Sequence, residues 1–176
     1  MLRDKEDAMD RHAGITLIEL LTAIALIAVL AGIAVPALDR ILLNARRNAV
    51  LEDVARAAWL ARSEALRRGR PVLLCGSRDG RACAGELPAW DQGWLVVPED
   101  EPARVLRLGA GAAHPRGRLL ANRHSFRFEP GERRSTNGTL AWCDDRGDAA
   151  ARAVVISPTG RVRRIRGAGS LECAPP

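Results

Sequence analysis

The stretch "GITLIELLTAIALIAVLAGIAVPAL", residues 14–38, is the most informative part of this 176-residue sequence. Apart from Thr16, Thr22 and Glu19, its residues are apolar or small. Residues 15–38 would extend about 36 Å as an α-helix, at about 1.5 Å per residue. That length exceeds the bilayer core of about 30 Å, so the sequence predicts a single transmembrane helix over residues 15–38.

The helical pattern continues past Pro36 and over residues 39–69. There, apolar residues recur at the spacing of an amphipathic helix, and arginines fill many of the positions between them. Gly69 is a typical helix-ending residue, and Pro71 prevents the helix from resuming. We therefore expect one helix of roughly fifty residues, bent or locally unwound at Pro36, with a membrane half and an amphipathic half.

Glu19 places a carboxylate inside the apolar segment. A charged residue at the centre of a membrane helix costs about 2.5 to 3.5 kcal/mol on insertion scales. One explanation is that Glu19 lies near the interface, where its carboxylate reaches the headgroups. A second explanation gives the carboxylate a role, because a positive group of another subunit would neutralise it when helices bundle. A free amino group produced by cleavage before Ile15 would be such a group.

Arginine dominates the positive charge. The chain has 27 Lys and Arg residues against 21 Asp and Glu, a formal net charge of +6, and Lys5 is its one lysine. Guanidinium groups suit bidentate contact with phosphate or carboxylate. Genomic base composition can also favour arginine over lysine, so the placement of the arginines, rather than their number, has to indicate a binding surface.

The four cysteines, an even number, all follow the apolar segment. An exported domain in an oxidising compartment would pair them as disulfides. The sequence has no C-x-x-C motif and its three histidines do not cluster near the cysteines, so zinc ligation is a poor interpretation. Of the three possible pairings we predict the most local, Cys75 with Cys83 and Cys143 with Cys173.

Beyond Gly69 the pattern changes to short runs of strand-forming residues separated by Gly, Pro and Asp. Eight runs are candidate strands: PVLLC, GWLVV, ARVLRL, GRLLA, SFRFE, TLAWC, AVVIS and RVRRI. Strands after a long amphipathic helix indicate an α+β domain, here residues 70–176, in which antiparallel sheet covers the helix. Because the chain has no tyrosine and two phenylalanines, Trp90, Trp94 and Trp142 are expected to supply most of the aromatic core.

The sequence GITLIEL, residues 14–20, resembles the class III prepilin signal. The resemblance implies that residues 1–14 are a leader, which the prepilin peptidase removes between Gly14 and Ile15 before it methylates the new amino group. It also implies that Glu19, the fifth residue of the mature chain, engages the amine of a neighbouring subunit during filament assembly. Two features depart from the family pattern: Ile15 stands where phenylalanine is more common, and the leader contains four acidic residues.

Later motifs are similar to those of the FimT/GspH group of minor pilins and pseudopilins. The matching stretches are RDGRACAGELPAWDQGWLVV, FRFEPGE, NGTLAWC and VVISPTGRVRRI, the last followed by Cys173. The resemblance implies a type IV pilin-like fold, in which a long N-terminal transmembrane helix packs on antiparallel β-sheet. It also implies other pilins as partners. The chain would lie first in the bacterial inner membrane, with its C-terminal domain in the periplasm, and then in a pilus or pseudopilus filament.

The segment SPTGRVRRIRGAGS, residues 157–170, is the best candidate for a functional surface. Its Pro-Thr-Gly sequence is typical of a tight turn, after which Arg161 and Arg163 would project from one face of a strand. DNA-binding FimT members carry a Gly-Arg-x-Arg motif at this position. The resemblance therefore implies that Gly160, Arg161 and Arg163, with Arg164 close by, bind double-stranded DNA. The alternative is a solvated edge strand whose charges discourage aggregation.

A second basic cluster, HPRGR, contains Arg116 and Arg118, with Arg123 nearby. It would either extend a DNA-binding surface or form an ordinary loop.

Two functions follow from the resemblance. The first is a minor pilin of a type IV pilus that binds extracellular DNA without sequence preference, for uptake in natural transformation. The second is a structural pseudopilin of a type II secretion system. Both use the same leader, carboxylate and helix, and the C-terminal arginines favour the first. An enzyme is not expected, because the sequence shows no Ser/His/Asp, metal-ligand or paired-carboxylate arrangement, and no cofactor is implied.

Overall fold

The computed structural model describes residues 15–112, 114–131 and 134–173. The predicted leader, including Gly14, lies outside the described residues. The described residues form two structural units, the first ending at Leu43 and the second beginning at Asn44.

Helix α1 (Leu17–Arg68) has 52 residues and confirms the prediction of one long helix. Gly69 follows it with a φ of 64°, the left-handed conformation in which helices commonly end. Of the two alternatives predicted at Pro36, local unwinding does not occur, because helical backbone continues through this residue. A proline removes one backbone hydrogen bond, and the bonds on either side keep the helix wound.

The first unit carries the predicted membrane segment. An 18-residue window of α1 has a mean hydropathy of 2.6, and none of that window is buried in the structure. Ile18, Leu26 and Ile33 are each at least 65% exposed. An exposed apolar helix of this length is suited to lipid, or to the helices of other subunits.

The second unit contains eight strands and a short helix, α2 (Ala89–Gln92). In chain order the strands are β1 (Val72–Gly76), β2 (Gly93–Pro98), β3 (Arg107–Ala110), β4 (Gly117–Ala121), β5 (Ser125–Phe128), β6 (Gly138–Asp144), β7 (Arg152–Ile156) and β8 (Val162–Arg166). They form two four-stranded antiparallel sheets, with the orders β3-β2-β1-β5 and β4-β6-β7-β8. Each predicted run contains all or part of one strand, so the α+β class is confirmed.

Strand β3 differs most from its prediction. The run ARVLRL covers residues 103–108, but the strand begins at Arg107. Residues 101–104 form a turn instead, in which the amide of Arg104 donates to the carbonyl oxygen of Glu101 at 2.9 Å. Within the strand, residue 109 is glycine because it lies against the Trp94 indole, where a Cβ atom would come within 1.8 Å of a ring carbon.

Small residues line the buried face of the second half of α1. Ala55, Ala58, Ala61 and Ala65 are all fully buried, and they belong to one core cluster that includes residues of both sheets. Short side chains let the strands approach the helix closely. Trp59, on the same part of the helix, is 47% exposed.

The aromatic core is as predicted. Trp90, Trp94 and Trp142 are each at most 1% exposed and lie in the same core cluster. Trp90 packs edge-to-face on Phe126, with 5.7 Å between the ring centroids. These indoles are therefore core residues and are not available as a base-stacking surface.

Both predicted disulfides are present, Cys75–Cys83 and Cys143–Cys173. The second holds the C-terminal segment against the outer face of the β4-β6-β7-β8 sheet, where Ala153 and Ala168 share its buried cluster. The amide of Cys173 also donates to the carboxylate of Asp148 at 2.9 Å. Residues 167–173 thus form a fixed cover beside strand β8.

Candidate nucleic-acid interface

The turn between β7 and β8 contains the predicted arginine motif. The amide of Ser157 donates to the carbonyl oxygen of Arg161 at 3.0 Å, and the amide of Gly160 donates to the carbonyl oxygen of Ser157 at 2.8 Å. The Ser157 hydroxyl accepts the Arg161 N–H at 3.1 Å and lies 2.9 Å from the Thr159 hydroxyl. These bonds fix the backbone from which the arginines project.

Gly160 is required in this turn for two separate reasons. Its φ is +71°, a conformation that costs a residue with a Cβ atom about 1 to 2 kcal/mol. A Cβ atom would also lie 2.7 Å from Nη1 of Arg62 and 3.3 Å from Oγ of Ser135. The glycine of the motif therefore has a structural role.

Two distant residues hold the turn from outside. Arg62 of α1 donates through Nη1 to the carbonyl oxygen of Thr159. The amide of Ser135 donates to the carbonyl oxygen of Pro158 at 2.8 Å. Sequence reasoning missed both residues, because nothing in their local spacing indicates contact with a turn elsewhere in the chain.

Arg163 lies on β8, the edge strand of the second sheet, and Arg161 immediately precedes that strand; both side chains are exposed. Val162, between them, points the other way and packs against the core. Within the described residues, neither guanidinium has a hydrogen bond or ion pair. Two charged side chains with this i, i+2 spacing lie about 7 Å apart along a strand.

Arg164 lies on the opposite face of β8 from Arg161 and Arg163. Its guanidinium forms an ion pair with Glu52 of α1. Val154, its register partner on β7, is in the core. The structure therefore does not bring Arg164 together with the other two arginines, and its DNA contact stays a prediction that would require it to leave Glu52.

The second basic cluster is partly neutralised. Nε of Arg116 lies 2.6 Å from a carboxylate oxygen of Asp145. Arg123 donates to the carbonyl oxygen of Asn137 at 3.3 Å. Arg118 is exposed on β4, far along the sheet order from β8. The cluster is therefore less suited to phosphate binding than the arginines of the turn.

Arg134 is a residue that the sequence analysis missed. It is exposed and directly precedes Ser135, whose amide holds the tip of the turn. The Arg-Arg pair in GERRSTNG could have indicated a basic surface. It is more than 20 residues from the Gly-Arg-x-Arg motif in the sequence, so nothing local indicated that the two lie together.

An exposed apolar helix, its continuation into an alanine-lined core and the β-rich domain define a type IV pilin-like subunit. Residues 9–35 match the family model of the prokaryotic N-terminal methylation motif, and residues 51–160 match that of the type II transport protein GspH. The GspH match covers more than half of the chain, which therefore belongs to the GspH family.

Solved structures show the same fold. The crystal structure of the type IV minor pilin FimU from Pseudomonas aeruginosa (strain PAO1) in space group P21 has a TM-score of 0.54 and 19% sequence identity, covering 73% of this chain and 95% of that chain. The P65 crystal form of FimU gives a TM-score of 0.53 at 19% identity, covering 72% and 99%. Among curated proteins, no sequence is similar enough to this chain to count as a relative.

The family and the fold identify the chain as a minor pilin or pseudopilin of the type IV pilus and type II secretion class. Membership implies processing by the prepilin peptidase, anchoring by the apolar helix, and assembly with other pilins or pseudopilins.

Proposed function

We propose that the chain is a minor pilin of a type IV pilus that binds extracellular double-stranded DNA through Arg161 and Arg163, for uptake in natural transformation. The observation that carries this proposal is the pair of exposed guanidiniums on a turn that is held by Arg62 and Ser135. A preorganised surface loses less conformational entropy when it binds.

The binding would be independent of sequence. Arginines on a short edge strand reach phosphate oxygens, whereas base reading needs a helix or a two-stranded ribbon in the major groove. Arg134, beside the same turn, would add a third phosphate contact. If three phosphates are neutralised, the slope of log K against log salt concentration would be about −2.7.

Processing and assembly complete the proposal. Cleavage between Gly14 and Ile15 would remove three basic and four acidic residues, so the mature chain would carry 24 basic and 17 acidic residues, a net charge of +7. Glu19 would then pair with the new amine of a neighbouring subunit, with the second unit in the periplasm. The proposed role involves no catalysis and no cofactor.

The second candidate is a structural pseudopilin of a type II secretion system. The match of residues 51–160 to the type II transport protein GspH favours it. In that role, Arg161 and Arg163 would be solvated charges that protect the edge strand β8 from pairing with another sheet.

Titration of a fluorescent DNA duplex with a fragment starting after Pro36, at several salt concentrations, tests the first candidate. Replacing Arg161 and Arg163 together by alanine should abolish most binding and reduce the salt slope by about two units, because two phosphate contacts are lost. The fold should stay intact, since both side chains are exposed and unpaired within the described chain.

A matched control removes two other exposed arginines, Arg70 and Arg78, each of which is paired with a carboxylate. This variant loses the same formal charge and should bind DNA almost as well as the unmodified fragment. Equal binding by the Arg161/Arg163 variant and the unmodified fragment would contradict the DNA-binding role and favour the pseudopilin.

A further inference from the structure

A groove of about 340 Å³ lies between α1 and the end of the β7-β8 ladder, within the second unit. Its lining includes Asn48 and Leu51 of the helix and three arginines, Arg152, Arg164 and Arg166. Because β7 and β8 are antiparallel with Arg152 opposite Arg166, these two side chains leave the sheet on the same face. That face is opposite to the one from which Arg161 and Arg163 project.

The positive charge in the groove exceeds its negative charge. Glu52 pairs with Arg164. Arg152 donates to the carbonyl oxygens of Ala151 and Ala149, at 2.6 and 3.4 Å, which leaves its charge without a carboxylate among its described contacts. Arg166 is exposed and has no ion pair within the described ranges. Like charges directly opposite each other in a ladder destabilise it, so the Arg152–Arg166 pair has a cost that an anion would remove.

A fourth arginine, Arg47, adds to the positive charge near the groove. Arg47 is 7% exposed, and its guanidinium donates to the carbonyl oxygen of Ala150 at 2.6 Å. Burial lowers the pKa of Arg47, and the positive charges of Arg152 and Arg146 lower it further, while Asp144 partly opposes them. Arg47 therefore adds one more positive charge close to that of Arg152.

From these contacts we infer that the groove between Asn48 and Arg166 is a binding site for the phosphate headgroup of an acidic phospholipid, with Arg152 and Arg166 as its ligands. The site is separate from the proposed DNA surface and does not depend on it.

The position of the groove along the chain favours lipid over other anions. Asn48 follows Leu38, the last residue of the predicted membrane segment, by only ten residues in the sequence. Headgroup layers extend several ångströms beyond the hydrocarbon core, and arginine side chains reach toward them along their apolar stems. Anionic membrane surfaces attract such basic residues near a transmembrane helix. A carboxylate of a neighbouring subunit is the rival occupant.

The experiment uses the mature full-length chain in neutral detergent, titrated with phosphatidylglycerol or with phosphatidylcholine of the same acyl chains, and native mass spectrometry to count bound lipid. We expect a preference for phosphatidylglycerol. Replacing Arg152 and Arg166 by glutamine should reduce that preference about thirtyfold, because each arginine near an anionic surface contributes about fivefold. Replacing the same two residues by lysine should keep most of it, since the charge is retained.

The charge-matched control replaces Arg161 and Arg163 by glutamine on the opposite face, and it should leave the lipid preference unchanged. Melting temperatures identify any variant that fails to fold, and the lysine variant then decides in place of the glutamine one. Equal binding of the two lipids, or an equal loss in the control, would overturn the proposal. Displacement of lipid by free glycerol phosphate at micromolar concentration would also overturn it, because the site would then select a small anion rather than a membrane surface.

Discussion

The guanidinium of Arg62 donates a hydrogen bond to the carbonyl oxygen of Thr159, 97 residues further along the chain. This contact joins the amphipathic half of α1 to the turn that carries Arg161 and Arg163. The charge of Arg62 is directed into the turn, so Arg62 positions the candidate surface and does not form part of it.

Replacing Arg62 by alanine should weaken DNA binding while leaving the salt slope unchanged, because a positioning residue neutralises no phosphate. The loss of a charged hydrogen bond at a partly exposed site should also lower the free energy of unfolding by about 1 kcal/mol. Duplex titration at several salt concentrations and urea unfolding measure the two effects. Arg56, exposed on the same helix, provides the control, and Arg56→Ala should not lower the free energy of unfolding. A reduced salt slope in Arg62→Ala would instead place Arg62 among the phosphate ligands.

Gly160→Ala should destabilise the second unit more than Gly147→Ala does. Both glycines have φ near +71°, so both variants incur the left-handed conformational cost of about 1 to 2 kcal/mol. Gly147 has no atom within 4 Å of an added Cβ, whereas Gly160 has Arg62 Nη1 at 2.7 Å. The difference between the two variants in free energy of unfolding, measured by urea denaturation, gives the cost of the contact with Arg62. Equal destabilisation would show that Arg62 moves aside without cost.

The two disulfides should contribute unequally to stability. In the chain-entropy model, closing the separation of 30 residues between Cys143 and Cys173 stabilises by about 3.5 kcal/mol, and closing the 8 residues between Cys75 and Cys83 by about 2.5 kcal/mol. Serine pairs at each bridge, unfolded in urea, give the comparison. Peptide mapping without reductant checks the pairing, and free thiols in periplasm-derived protein would contradict it.

Acid should remove part of the stability at the end of α1. Hydrogen bonds from Arg67 and Arg68 lower the pKa of Glu64 from 4.5 to about 2. Since the folded pKa lies below the unfolded one, this contribution is complete above about pH 4.5 and is lost as the pH falls toward 2. Screening near the surface limits it to about 1 kcal/mol. Glu64→Gln should therefore flatten the fall in unfolding free energy over this range. A variant with the same acid profile as the unmodified protein would refute the assignment.

Two different substitutions should block leader cleavage and filament assembly separately. A substitution of Gly14 should leave an uncleaved inner-membrane protein, whereas Glu19→Ala should be cleaved and methylated yet fail to enter filaments. Mass spectrometry of the membrane form and immunoblotting of sheared filaments read the two steps. An intact leader on the unmodified protein would contradict the prepilin assignment.

Local patterns explain why much of this fold is predictable. The 3.6-residue spacing before Gly69 and the short strand-forming runs after it depend on neighbouring residues alone, so α1 and the approximate strands follow from the sequence. The start of β3 was missed because a turn competes with a strand-forming run, and Gly109 is selected by Trp94 of the adjacent strand.

The candidate site was predicted less completely, because the residues that contact and position it are distant in the sequence. The period of two correctly placed Arg161 and Arg163 on one face of the strand, but it did not show that Arg164 is kept away from them by an ion pair. It could not show that Glu52 pairs with Arg164, or that Arg62 binds the turn, since both depend on how α1 lies across the strands. The Arg152–Arg166 juxtaposition requires the strand register, which the sequence does not specify.

Because one tryptophan is exposed and the other three are buried, the intrinsic fluorescence of this subunit can report on its surface. The chain has four tryptophans and no tyrosine, so indoles account for nearly all of its near-ultraviolet emission. Trp90, Trp94 and Trp142 are shielded, while Trp59 is 47% exposed on the outer face of α1. A soluble quencher such as acrylamide should therefore act selectively on Trp59. Any partner that covers this face of the helix would shift its emission to the blue without a label having to be attached.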